Sequence, residues 1–141
     1  MWVVDTCVIL DVLVDDPQFG KHSATFLQNH MSEGLVLPPF SYVELAPAFQ
    51  GHNHFQDEFL DLAGVEYHTV WTWAHTQIAH HAWQRYCVLK RQGVTPKRPL
   101  ADILIGAFAT KFQGLITRND KDFKHIFPEL KLLNPLDRMS Y

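Results

Sequence analysis

The stretch Trp2-Val3-Val4-Asp5-Thr6 decides the fold. Three consecutive apolar residues without polar alternation, so early in a chain, read as a short strand buried on both faces of a parallel sheet. An ionised carboxylate closing such a strand has to be paired, hydrogen-bonded or metal-bound. Working outward, strand-like runs recur at Leu35-Val36-Leu37, closed by Pro38-Pro39, over 65–70, at Gly114-Leu115-Ile116-Thr117 and at Lys131-Leu132-Leu133. Helical patterns lie between them, over 8–14 and 19–31, then roughly 41–49 and 55–62, then 73–91 and 100–112. Within the longest, Ile78 and Ala82, with Ala79, Trp83 and Tyr86, fall at the three- and four-residue spacing of a core-facing stripe. Strands separated by helices need crossover connections. The expected fold is therefore α/β, a parallel sheet with helices on both faces, and its sites lie beyond the carboxyl ends of the strands.

The chain has 141 residues, the size of one domain with one core, and shows no linker, repeat or low-complexity segment, so a single domain over 1–141 is expected. With 47% hydrophobic and 19% charged residues it can bury a core. No apolar run approaches the roughly 18 residues of a membrane span. Asp5 stands where a secretory leader is basic and then apolar, so no leader is expected. Two cysteines, Cys7 and Cys87, do not make a disulfide framework, and a reducing cytoplasm follows as the expectation. A net charge of −3 argues against nucleic-acid binding by bulk charge and leaves room for a local patch.

Four places put a carboxylate at the predicted carboxyl edge: Asp5 after the first strand, Glu44 after the second, Asp102 at a helix start, and Asp120 with Asp122 after the fourth strand. Structural readings exist for most of them. Ser41-Tyr42-Val43-Glu44 fits a capping box, weakened by Pro47 six residues on. Asp102, just after Pro99, suits the first turn of a helix, and Asn119 suits an N-cap with Asp122 three positions later. These readings do not compete with a functional one, because helix starts after parallel strands gather on one edge of the sheet. Carboxylates collected within a few ångströms cannot all stay ionised without a compensating cation. No lysine adjoins Asp5, Glu44 or Asp102 in sequence, so a divalent metal is the simplest counter-charge. An all-oxygen set suits Mg2+ or Mn2+ and not zinc, and the chemistry it points to is phosphodiester hydrolysis.

The segments Val3-Val4-Asp5-Thr6, Tyr42-Val43-Glu44-Leu45, Leu100-Ala101-Asp102-Ile103-Leu104-Ile105-Gly106-Ala107 and Leu115-Ile116-Thr117-Arg118-Asn119 with Asp122-Phe123 together resemble the PIN-domain nucleases, and most of all the VapC-type toxins of toxin–antitoxin pairs. The resemblance covers almost the whole chain, with the four motifs in order. It implies a three-layer α/β/α fold on a mainly parallel five-stranded sheet. It also implies a Mg2+- or Mn2+-dependent single-strand endoribonuclease, often a homodimer, held inactive by a cognate antitoxin. The resemblance carries over Asp5, Glu44 and Asp102 as metal-binding catalytic carboxylates. Asn119, Asp120 and Asp122 compete to complete the set, and Thr117 is assigned to orienting a ligand or water. Cys7 departs from the pattern, since relatives carry Asn or Ser there, and the change puts the orientation of Asp5 in question. Lys90-Arg91, Lys97-Arg98, Arg118, Lys121 and Lys124 form a candidate basic rim for RNA phosphates, with Arg98 and Arg118 as its substrate contacts.

Competing functions fail on particular residues. The nine histidines, including His52, His54, His75, His80 and His81, lack zinc-ligand spacing. Cys7 has no neighbouring base to activate it as a nucleophile. A receiver domain needs a second acid beside Asp5 and a lysine after the fifth strand; a dehalogenase-like phosphatase needs an aspartate where Cys7 stands. The serious rival is a module of the same fold that binds RNA or a protein without turnover. Trp71, Trp73 and Trp83 are assigned to helix packing or to a dimer or antitoxin surface.

Overall fold

The computed structural model describes residues 1–93 and 99–137. Its strands are β1 (Trp2–Val4), β2 (Leu35–Val36), β3 (Val65–Glu66), β4 (Gly114–Ile116) and β5 (Leu132–Leu133). Its helices are α1 (Thr6–Leu13), α2 (Gly20–His30), α3 (Pro39–Glu44), α4 (Asn53–Leu62), α5 (Trp73–Arg91), α6 (Pro99–Ala109) and α7 (Asp120–Ile126), with 3-10 turns over Met31–Glu33 and Ala46–Phe49. The strands form one five-stranded sheet in the order β3-β2-β1-β4-β5, with every neighbouring pair parallel. The expectation of a mainly parallel sheet is met by one that is parallel throughout.

The alternation of side chains along each strand sorts the core into two halves. Val3, Val36 and Leu115 pack with Ala79, Ala82 and Tyr86 of α5, Ile103 and Phe108 of α6, and Phe123 of α7. Trp2, Val4, Leu35, Val65 and Ile116 face the other way, onto Val8 and Ile9 of α1, Leu27 of α2 and Leu60 of α4. Register pairs Val3 with Val36 on one side and Leu115 on the other, which puts β1 at the centre with both faces covered. Gly106 marks the tightest helix contact: a Cβ there would stand 2.2 Å from the Phe127 ring.

Several elements differ from the sequence reading, each for a local reason. The helix expected over 41–49 is two pieces. It starts earlier, at Pro39, and breaks after Glu44, because Pro47 lacks an N–H and its ring clashes with the carbonyl four residues back. Ser41–Glu44 is therefore no capping box, and the box that does form joins Thr72 to His75 at the start of α5. The strand expected over 65–70 stops at Glu66, whose carboxylate accepts the His68 N–H at 2.9 Å and turns the chain away from the ladder. Helix α1 starts at Thr6, directly after Asp5, and the short α7 follows Asn119. Among the described residues no helix is long and apolar enough to cross a membrane.

Candidate active site

Asp5 leaves β1 and becomes the residue before α1, with φ −69° and ψ 145°. Its N–H donates to the Ile116 carbonyl of β4 at 2.9 Å, so the backbone is still part of the sheet. An aspartate at this position usually caps its helix. Asp5 does not; its side chain makes no capping bond and points to other donors. Thr117, the residue after β4, donates its hydroxyl to Asp5 Oδ2 at 2.7 Å, and the Cys7 thiol approaches the same oxygen at 3.4 Å. Thr117 Oγ1 accepts in turn from the Asn119 N–H at 3.0 Å, which fixes the hydroxyl proton toward Asp5. Asp5 is only 1% exposed, and among the described residues no lysine or arginine pairs with it.

Cys7, whose place in the motif puts the orientation of Asp5 in question, still directs a donor at that carboxylate. Burial, and then the charge of Asp5, push its thiol up to about 12, so the sulfur stays protonated and donates weakly. The same shift removes the thiolate that nucleophilic chemistry requires.

Glu44 closes α3, and its Oε1 accepts the Thr6 hydroxyl at 3.0 Å. Thr6 is the first residue of α1 and the direct neighbour of Asp5, so one dipeptide holds the first and second carboxylates of the motif. Asp102 lies in the first turn of α6, 4% exposed, where the positive end of the helix dipole favours an anion. Helices that lead into parallel strands start on the carboxyl edge, and this topology brings the N-terminus of α6 to the side of the sheet that Asp5 and Thr117 occupy.

The region after β4 is divided. Asn119 supplies its backbone to Thr117 and makes no side-chain capping bond. Asp120 accepts from Asn134 Nδ2 at 3.1 Å, which ties it toward the end of β5. Asp122 is half-buried in the first turn of α7. Arg118, expected on the phosphate-holding rim, directs Nε and Nη2 at Asp11 instead, the latter at 3.1 Å, and lies 4.2 Å over the Phe19 ring. Arg98 and Lys97 of that rim lie outside the described residues.

The structure thus joins Asp5, Cys7, Thr117 and the Asn119 backbone in one hydrogen-bonded set, with Glu44 beside it through Thr6. It does not supply a ready chelate: among the described residues no three His, Cys, Asp or Glu side chains could together hold a metal ion. The donor set is nonetheless all oxygen, and Asp5 is a buried carboxylate met only by neutral donors. That suits Mg2+ or Mn2+, which bind through one or two carboxylates while keeping several waters, and it does not suit zinc.

Residues 2–127 match the PIN domain. The chain belongs to the PIN-domain family. The matched span contains Asp5, Glu44, Asp102 and Asp122, and PIN domains are generally nucleases. The fold is similar to that of a chain in the VapBC2 complex of Rickettsia felis, solved bound to a DNA fragment from their promoter. The TM-score is 0.67 with 19% sequence identity, over 94% of this chain and 97% of the other. Among curated proteins no sequence matches.

Sequence reasoning missed Thr6 as a partner of Glu44 and Arg118 as the partner of Asp11. Thr6 carried a signal, since a hydroxyl directly after a strand-end aspartate faces the same edge. The Arg118–Asp11 pair carried none, being 107 residues apart.

Proposed function

We propose that this PIN domain is a Mg2+- or Mn2+-dependent endoribonuclease acting on single-stranded RNA. In this reading it works as one nuclease domain in the cytoplasm, as a homodimer, and is the toxin of a toxin–antitoxin pair held inactive by its cognate antitoxin. The observation that carries the reading is Asp5, a buried carboxylate at the carboxyl end of the central strand, hydrogen-bonded by neutral donors and paired with no lysine or arginine among the described residues. The fold shared with the VapBC2 chain supports the toxin–antitoxin part.

Asp5 would hold the ion, joined by Glu44 and Asp102 through the waters such an ion keeps, with Asp122 the fourth acid, since Asp120 already accepts from Asn134. When bound, such an ion supplies positive charge against the phosphate oxygens and an acidified water. Thr117 and Cys7 orient Asp5, leaving Oδ1 free of their bonds. Glu44, which accepts the Thr6 hydroxyl, is the carboxylate assigned to take the proton of the attacking water. The water oxygen bonds to phosphorus as one P–O ester bond breaks, and the departing oxygen takes a proton from solvent while Glu44 returns its own to solvent. Asn119 and Arg98 are the proposed contacts to substrate; Arg118 contributes by clamping the segment that carries Thr117.

The test is cleavage of a fluorescent single-stranded RNA. Wild-type protein with Mg2+ or Mn2+ is expected to cut internally, with loss in chelator and a drop of a thousandfold or more in Asp5→Asn, about 4 kcal/mol of barrier. Tight RNA binding without cleavage in either metal overturns the enzyme reading. It would favour the catalytically silent binding module, a reading in keeping with the described residues, among which no three His, Cys, Asp or Glu side chains could together hold a metal ion.

A further inference from the structure

Beside the acidic edge, one strand further out, Pro39, Tyr42, Asp57, Tyr67 and His68 line a pocket of about 310 Å³. The topology places it on the same edge as Asp5: Tyr42 lies on α3, which follows β2; Asp57 lies on α4, which leads into β3; Tyr67 and His68 leave the end of β3. The Tyr42 and Tyr67 rings are stacked with centroids 5.8 Å apart and planes 21° apart, and the His68 ring stands edge-on to Tyr67 at 4.6 Å.

The polar groups are fixed. Tyr42 donates its hydroxyl to Asp57 Oδ1 at 2.5 Å and accepts from Asn53 Nδ2 at 3.3 Å, while Gln56 Nε2 holds the Tyr42 carbonyl at 2.7 Å. The Tyr42 phenol is pushed up by its bond to Asp57 and stays protonated, which keeps Oδ1 occupied. Asp57 Oδ2 accepts no hydrogen bond among the described residues. No lysine or arginine lines the pocket, so it has nothing to hold a phosphate.

We propose that this pocket is a nucleobase subsite, in which a base of the bound RNA extends the Tyr42–Tyr67 stack and its exocyclic amino group donates to Asp57 Oδ2. The inference rests on the ribonuclease reading and adds a base preference to it. Bases stack on aromatic side chains whatever their identity, so the rings supply affinity. Discrimination comes from the carboxylate, which accepts from an amino group and repels a carbonyl. Cytosine and adenine present an amino group on the Watson–Crick edge. Uracil presents carbonyls on both sides of its single N–H. The subsite therefore selects for an amino-bearing base and against uridine, on the order of tenfold. A cationic peptide side chain is the other occupant an acidic aromatic pocket admits, but the pocket's place on the carboxyl edge of the sheet, which Asp5 shares, favours the strand whose backbone reaches the acids.

The experiment measures cleavage of single-stranded RNAs that vary at one position through C, A and U. It uses wild type, Asp57→Asn and Tyr67→Leu, with thermal melts confirming that both variants fold. In parallel, Asp5→Asn protein in chelator is titrated with labelled C5, A5 and U5 oligonucleotides, with and without Asp57→Asn. Wild type is expected to favour C and A over U about tenfold. Asp57→Asn, whose amide adds a donor, brings the ratio to within about threefold, and Tyr67→Leu weakens all three oligonucleotides together. Cleavage with a base ratio unchanged by both variants overturns the subsite and leaves the nuclease reading intact. An Asp57-dependent preference in binding, with no cleavage by wild type, sustains the subsite and overturns the nuclease. Binding of an arginine-containing peptide that is lost in Asp57→Asn, with no base preference in the RNAs, overturns the subsite in favour of a protein partner.

Discussion

Asp5 and Asp11 lie six residues apart on the same strand–helix unit, 1% and 5% exposed, and the chain treats them in opposite ways. Consecutive residues after β4 serve the two. Arg118 gives Asp11 a two-nitrogen ion pair and covers the Phe19 ring, so a buried charge on α1 is neutralised and the end of β4 is fastened to the α1–α2 layer. Thr117 gives Asp5 a single neutral hydroxyl. Taking a carboxylate out of water is costly unless it is paired, and the arginine meets that cost for Asp11. For Asp5 the partial charges of a hydroxyl and a thiol meet only part of it. The contrast separates a carboxylate paired with an arginine from one that, among the described residues, meets only neutral donors.

The largest expected effect breaks the pair at Asp11. Arg118→Ala leaves that carboxylate buried and alone, at a cost of about 3 kcal/mol. This is the low end for a buried pair, because the Arg118 side chain keeps 24% of its surface in water. Urea unfolding measures it, and the double change Asp11→Leu with Arg118→Met is expected to regain most of the loss. Asp5→Asn is expected to unfold at the same urea concentration as wild type or slightly higher, since it removes a buried charge that meets only neutral donors among the described residues. If Asp5→Asn costs more stability than Arg118→Ala, the two aspartates have been assigned the wrong way round.

A smaller effect tests how Asp5 is aimed. Thr117→Val keeps the volume and removes the hydroxyl that donates to Asp5 and accepts from the Asn119 N–H. Outer hydrogen bonds to metal-ligating groups are worth ten- to a hundredfold in affinity or activity. Cleavage is expected to fall by about that much, with metal dependence shifted to higher concentration, while stability falls by about 1–2 kcal/mol. A loss of stability with metal affinity unchanged would make Thr117 a packing residue and reduce Asp5 to the same class as Asp11.

Most of the scaffold was legible because the sheet announces itself locally. Val3-Val4 and Leu115-Ile116 are apolar without alternation because both faces are covered, and Asp5 stands out against them. The break at Pro47 could be read as a disturbance of the helix, and its consequence is an α3 that ends at Glu44. The edge strand was overread: residues 65–70 alternate as a strand would, but a glutamate carboxylate that captures a nearby N–H outcompetes a ladder with one neighbour. At the site, the acids were visible one by one because each sits at a strand end or helix start. How near each stands to the next was not, since that depends on how far each helix start lies from the others. Arg118 looked like a rim cation because nothing in the local sequence names Asp11 as its partner.

Cys7 offers the smallest and most selective probe, because it touches Asp5 and leaves Asp11 alone. Its thiol is raised in the folded protein by burial and by Asp5, to about 12 from an ordinary 9.0. Between those values the folded state holds a proton that the unfolded state has lost. Stability from this group is therefore fully present below pH 9 and drains away as pH climbs toward 12, by tenfold in the unfolding constant per pH unit. Cys7→Ser has no such proton to lose, so its melting temperature is expected to fall less than that of wild type above pH 9, with the two curves parallel below it. At neutral pH the serine hydroxyl is the better donor to Asp5, and cleavage is expected to rise severalfold. Parallel melting curves through pH 11 would mean that the sulfur does not face the Asp5 carboxylate, and the neutral-donor half of the contrast with Asp11 would then rest on Thr117 alone.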